Sequence, residues 1–212
     1  MRLGTKDFSP FSTLAVDNSE VIQKLKRESM IPIADEILEK FLSTAEEISL
    51  KRNQVLVQAG EVNPDIHVVK EGVIRYCYYR DGRDVTAYFA MPATPVVSYH
   101  SMCMNKPSFY RLEACVKSKI LKVRKEEFDK LVNSSHEFSR WMIGALQCQL
   151  FSLEHKDRVI TGTAADRLVS LFRNRPELLK AVSSKVIASY LGITESYLSR
   201  LKVRLFKEGA FS

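Results

Sequence analysis

Residues 182–207, VSSKVIASYLGITESYLSRLKVRLFK, admit few folds. Ile187 and Leu191, then Leu198, Leu201 and Leu205, recur at helical spacing on either side of Gly192. A glycine takes a positive φ without steric cost, so it ends the first helix and lets the chain turn. Ala188, four residues earlier, is small enough for a second helix to cross close by. Thr194 is placed to cap that helix, its hydroxyl accepting a backbone N–H that the first turn leaves unpaired. Two short helices around such a turn make a helix-turn-helix, whose second helix is shaped to enter a DNA major groove.

The helical wheel agrees. With Leu198, Leu201 and Leu205 turned inward, Ser196, Ser199, Arg200 and Lys207 point away, flanked by Glu195, Tyr197, Lys202 and Arg204. Short polar side chains followed one turn later by Arg suit base edges, because a guanidinium donates two parallel bonds to guanine. An ordinary helical hairpin with a solvated face has the same wheel. The small Ala, the turn Gly and the capping Thr together favour DNA.

Charge points the same way. The formal net charge is +7, and from residue 163 onward nine Lys/Arg oppose four Asp/Glu, an excess of +5. Basic charge gathered in the last quarter of the chain is what a phosphate backbone requires. No apolar run near the N-terminus has the length of a signal peptide and no stretch approaches a membrane span, so a cytoplasmic protein is expected. Cys77, Cys103, Cys115 and Cys148 are scattered without a C-x-x-C pair and read as buried, reduced thiols rather than metal ligands.

Taken in order, the chain has a mainly polar helix at about 19–28, then one at about 32–44 with Pro32 in its first turn. From Glu46 short alternating strands follow: Ile48 and Leu50, Val55 and Val57, then residues 66–79 broken at Glu71-Gly72. Asp81-Gly82 is a hairpin turn, residues 85–89 a strand, and 109–116 and 119–123 closing strands. The segment 91–107, interrupted by Pro92 and Pro95, is expected to be largely irregular. About eight such strands make an antiparallel sandwich or roll. A short helix at 126–132 precedes a long one from 137 to about 158, apolar on two faces. One stripe is Ile143, Leu146, Leu150 and Leu153; the other is Phe138, Met142 and Ala145. One face is expected to meet the roll and the other the same helix of a second subunit. Thr161-Gly162-Thr163 reads as a hinge, and helices at 164–172 and 176–181 lead into the helix-turn-helix.

A β-roll, a long central helix, a hinge and a C-terminal helix-turn-helix together resemble the Crp/Fnr superfamily of transcription regulators, over about residues 32–211. The most specific part is SSKVIASYLGITESYLSRLK at 183–202, and VLVQAGEVNPDIHVVKEGVIRYCYYRDGRDVTAYF looks like the family's cyclic-nucleotide-binding-type domain. The resemblance implies an α+β chain in three parts: an antiparallel, jelly-roll-like sensor at 1–135, a central dimerisation helix at 136–160 and a winged-helix-type helix-turn-helix domain at 161–212. The chain ends at Gly209-Ala210-Phe211-Ser212, where the family's β-hairpin wing would begin, so a truncated wing is expected. Carried across, the family roles make Ser183 a cap of the first helix and, with Lys185 and Thr194, a phosphate contact. Tyr197, Lys202 and Arg204 join that phosphate set. Glu195, Ser196 and Arg200 fall at base-reading positions, with Ser199 on the same face, and Arg200 alone keeps the residue type of the cyclic-AMP receptor proteins.

The sensor departs from its relatives. Cyclic-AMP-binding members hold the ligand with Gly-Glu and Arg-Ser or Arg-Thr pairs, and the matching positions here are about Val97-Ser98 and Ser108-Phe109. The carboxylate and the phosphate-facing Arg are missing. Val97, Ser98, Tyr99, Ser108 and Arg111 mark a candidate pocket for another small effector, although alternation pairs Arg111 with Glu113 in a plain ion pair. No N-terminal cysteine cluster supports an iron–sulfur centre, and His67, His100, His136 and His155 read as surface or capping residues rather than haem ligands. No cofactor is expected. The chain contains no P-loop, G-x-S-x-G or H-E-x-x-H, so it does not read as an enzyme. The expected function is a sequence-specific regulator that binds double-stranded DNA as a homodimer, with RNA polymerase as a further partner and no membrane. The alternative is a small-ligand-binding signalling module whose helix-turn-helix serves protein contact.

Overall fold

Alternation within the strands and 3.6-residue spacing within the helices resolve into four layers. The computed structural model describes residues 17–160 and 162–210, with the backbone alone at 152, 153 and 155–160. Expectations placed on residues 1–16, on Thr161, on the side chains of Leu153 and His155, and on Phe211 and Ser212 lie outside the described residues.

Among the described residues eight strands form two four-stranded antiparallel sheets. Sheet A runs β1 (Glu46–Leu50), β8 (Ser118–Val123), β3 (Ile66–Glu71), β6 (Pro95–Val96); sheet B runs β2 (Val55–Val57), β7 (Arg111–Ala114), β4 (Ile74–Arg80), β5 (Arg83–Ala90). Between them lie Leu50, Val57, Val69, Ile74, Ala90, Val96, Leu112, Ala114 and Ile120. Asp81 and Gly82 join β4 to β5, both with positive φ, as a two-residue hairpin requires.

The far side of sheet A is covered by helices. Ile66, Val68, Leu121 and Val123 meet α1 (Asn18–Arg27), α2 (Asp35–Ser43), α4 (Lys125–Ser134) and the start of α5 (His136–Ile160) through Leu25, Leu38, Phe41, Phe128, Phe138 and Trp141. Gly144 lets α5 pass close to the α1–α2 connection, where an added Cβ would lie 2.2 Å from Ser29 Oγ. The far side of sheet B carries the last four helices: α6 (Ala164–Asn174), α7 (Pro176–Ala181), α8 (Ser184–Leu191) and α9 (Glu195–Lys207). No described helix is long and apolar enough to cross a membrane.

Several expectations change. Pro32 precedes α2 rather than opening it, because the chain stays extended through Ala34 and that helix begins at Asp35. Residues 91–107 are less irregular than expected: Pro95–Val96 pairs with β3, and Ser98 accepts the Ser101 N–H to start α3 (Tyr99–Met104). A six-residue helix capped by a single serine is too short for a periodic signal. Cys77 and Cys115 are buried as expected, whereas Cys103 is exposed and Cys148 half-buried. Burial pushes the Cys77 thiol up, and that of Cys115 to about 12, so both stay protonated. His67 is no surface residue. It is 1% exposed, and its Nδ1 meets no partner among the described residues.

Burial pushes the His67 imidazole down to about 4; Asp65 works against that shift and Lys122 with it. An unfolded imidazole, at about 6.5, takes up a proton that the folded one refuses. The stability this group supplies is therefore complete above pH 6.5 and lost as pH falls toward 4. Urea melts at pH 7 and 4.5 check this, and His67→Leu flattens the slope between them. Gly72, at φ 92°, leaves no room for a side chain: a Cβ would lie 2.1 Å from Ser118 Oγ and 2.7 Å from the Lys117 carbonyl oxygen. Gly72→Ala lowers stability by about 2–3 kcal/mol in the same melts, through positive φ and the clash together.

Candidate nucleic-acid interface

Local capping fixes the helix-turn-helix. The Thr163 hydroxyl accepts the Asp166 N–H, and the Asp166 carboxylate accepts the Thr163 N–H, a reciprocal box that starts α6. Arg167 Nη2 donates 2.7 Å to the Leu191 carbonyl at the end of α8. Gly192, at φ 66°, closes that helix: its N–H reaches the Ser189 carbonyl, and the Ile193 N–H reaches that of Ala188. Thr194 caps α9 by accepting the Tyr197 N–H at 3.2 Å. Leu198, Leu201 and Leu205 are at most 5% exposed and pack on Leu168, Leu171, Leu178, Ile187, Ala188 and Leu191.

The opposite face of α9 is open. Glu195, Ser196, Ser199 and Arg200 are all exposed on it, beside Tyr197 and Arg204, with Lys202 half-buried on the flank. Lys185 is exposed near the start of α8. Ser183 occupies the capping position of α8 but its side chain makes no capping bond. Arg204 lies 3.8 Å from Glu208, a pair on the solvated end of the helix. Two features of this region escape periodicity. Val203 and Phe206 are 55% and 78% exposed and line a shallow apolar groove with Phe172 and Leu179, between Lys202 and Lys207. Ser189 and Tyr190 turn toward the roll rather than outward.

The candidate effector residues are divided between places. Val97 is buried, and its N–H donates 3.0 Å to the Tyr76 hydroxyl. Ser98 caps α3, Tyr99 is about half exposed, and the Ser108 hydroxyl donates to the Tyr110 carbonyl at 2.8 Å. Arg111 belongs to the other face of sheet B, since alternation puts it opposite its neighbour Leu112. There its Nη2 reaches Asp84 at 2.9 Å and Glu113 at 3.1 Å. Arg75 joins them, donating to Glu113, to both oxygens of Asp84 and to Thr86 Oγ1. The inner face of sheet B carries tyrosines instead: Tyr76, Tyr78, Tyr88 and Tyr110 meet edge to face with ring centres 5.9–6.2 Å apart. Charged residues at alternate positions of a strand were the available signal for the Arg75 cluster; nothing local revealed its partners.

Residues 47–135 match the family model described as the cyclic nucleotide-binding domain. No curated protein matches the sequence. Among solved structures, FixK2 from Bradyrhizobium japonicum superposes with a TM-score of 0.66 at 19% identity, covering 78% of this chain and 86% of its own. The c-di-GMP responsive global regulator CLP from Xanthomonas campestris gives 0.65 at 14% identity, over 83% and 93%. A putative cAMP-binding regulatory protein from Silicibacter pomeroyi gives 0.61 at 20% identity, over 89% and 88%. Residues 47–135 are thus similar to the cyclic nucleotide-binding domain, and the chain as a whole shares the fold of these solved regulators.

Proposed function

We propose that this protein is a sequence-specific transcription regulator that binds double-stranded DNA as a homodimer, without a cyclic-AMP site in its roll. The observation that carries the reading is the exposed face of α9, where Glu195, Ser196, Ser199 and Arg200 stand together on a helix locked by caps and three buried leucines. Ser183, Lys185, Thr194, Tyr197, Lys202 and Arg204 border that face as phosphate contacts. Base-edge groups at the front of a helix and cations around them match the two tasks of a DNA reader, specification and positioning.

Dimerisation is supported by α5. Phe138 and Trp141 are buried against the roll, while Ile143, Leu146 and Leu150 remain 54%, 41% and 63% exposed on the other side. An apolar stripe on a long helix is self-complementary across a two-fold axis. The chain then divides into a sensor at 1–135, a dimer helix at 136–160 and a reading head hinged at 161–163. Absence of a cyclic-AMP site is supported by the tyrosine cluster on the inner face of sheet B and by the pairing of Arg111 on the outer one. A regulator of this kind works in the cytoplasm beside RNA polymerase and does no catalysis.

Selection from a random DNA pool returns an inverted repeat, and affinity for it falls steeply as salt rises. Arg200→Ala weakens that binding by about 1–3 kcal/mol and relaxes preference at one base pair per half-site. Sequence-blind binding by both proteins would overturn the reading. Leu146→Glu, with its charge on the exposed stripe, shifts the protein to monomer in sedimentation equilibrium while its melting curve holds.

A further inference from the structure

Strand β5 is an edge of sheet B, so every second residue turns its backbone N–H and C=O away from the sheet. Asp84 and Thr86 are two such residues. Ser189 of α8 meets both with one hydroxyl, accepting from the Thr86 N–H at 2.9 Å and donating to the Asp84 carbonyl at 2.7 Å. A hydroxyl is one of the few side-chain groups that donates and accepts at a single atom, and here it supplies the bonds an adjoining strand would make. Two more contacts continue along the same edge. The Tyr190 ring lies on that of Phe89 with centres 5.1 Å apart, and Arg175 Nη1 donates to the Phe89 carbonyl at 3.4 Å. Beneath them Val73, Phe89 and Cys115 are buried in one apolar cluster with Leu178 and Leu191. The edge itself is held in place, because the Asp84 carboxylate bridges Arg75 and Arg111.

From this arrangement we infer that the outer face and edge of sheet B are the docking surface of the chain's own helix-turn-helix, and that docking pre-sets the head for DNA without any ligand. The orientation is a reading one. With α8 seated on β5, Glu195, Ser196, Ser199 and Arg200 of α9 stay exposed, as does Lys185. Among the described residues the Ser189 hydroxyl bonds to Thr86 and Asp84 of β5 and not to a side chain of the proposed DNA face. The position of the head relative to α5 is therefore set by sheet B and not by residues 161–163 alone. The tyrosine packing on the inner side of the same sheet keeps β4, β5 and β7 in one arrangement, so the platform is standing in the free protein.

The inference rests on the DNA-reading proposal for its consequence but not for the docking, and the test separates them. Ser189→Ala removes both bonds and favours helix; Ser189→Thr keeps the hydroxyl. Amide hydrogen exchange on the full chain reads the docking directly. The Thr86 amide exchanges at least about tenfold faster in Ser189→Ala than in the unaltered protein, Ser189→Thr restores protection, and Ile120 in the middle of sheet A is unchanged. Binding to the selected inverted repeat, without added ligand, weakens about tenfold in Ser189→Ala with the same base preference, and Ser189→Thr recovers it. Equal Thr86 exchange in all three proteins would overturn the docking. Faster exchange with unchanged or tighter DNA binding would overturn its role, making the contact inert or a restraint. If the unaltered protein binds no DNA, the reader proposal fails while the exchange result still decides the docking.

Discussion

Two guanidinium groups and two carboxylates on the outer face of sheet B fix the edge strand against which the C-terminal helices pack. Arg75 and Glu113 are only 6% and 8% exposed, so each would be a severe liability alone. Together with Asp84 and Arg111 they form a neutral cluster in which Arg75 donates to both carboxylates and to the Thr86 hydroxyl. Such a cluster adds little net stability over an apolar equivalent, yet removing one member leaves a buried charge and costs about 3–5 kcal/mol. Its effect is geometric. Asp84 is tied from below by two arginines and from the side by Ser189, so the edge strand and α8 share one register.

That frame explains why sheet B carries two different faces. Toward sheet A it is apolar near the core and tyrosine-rich beyond it, with Tyr76 holding Val97 through its hydroxyl. Toward the head it is charged at the centre and apolar at Val73, Phe89 and Cys115. A strand buried on both sides ordinarily reads as continuously hydrophobic. Here alternation survives, because the second buried face is satisfied by ion pairs. The roll resembles a ligand-binding module in its backbone while its interior and exterior are both occupied by its own side chains.

Much of this was legible in the residues. Gly192, Thr194 and the leucine spacing located α8 and α9 nearly to the residue, because capping and turn chemistry act over four or five positions. Asp81-Gly82 and Glu71-Gly72 placed two turns of the roll for the same reason. Alternation also anticipated the Arg111–Glu113 pair. On α5 the two stripes differ in exposure: Phe138 is buried with Met142 and Ala145 half-buried, whereas Ile143, Leu146 and Leu150 are exposed. Legibility failed where the determinant was distant. α3 and β6 were missed, since one depends on a serine cap and the other on pairing with β3. His67 was misplaced because polarity of the residue type says nothing about a position between two sheets.

The sequence by itself determined the class of elements, their order, the turns and the polar face of α9, all of which follow from periodicity and from backbone rules within a few residues. Tertiary structure alone decided that Arg75 and Asp84 would join the Arg111–Glu113 pair, that four tyrosines would fill the inner face of sheet B, and that Ser189 would face β5 rather than solvent. Asp84 and Ser189 stand 105 positions apart. A contact at that separation exists only once two sheets have closed and a four-helix head has packed on them, and no local pattern encodes it.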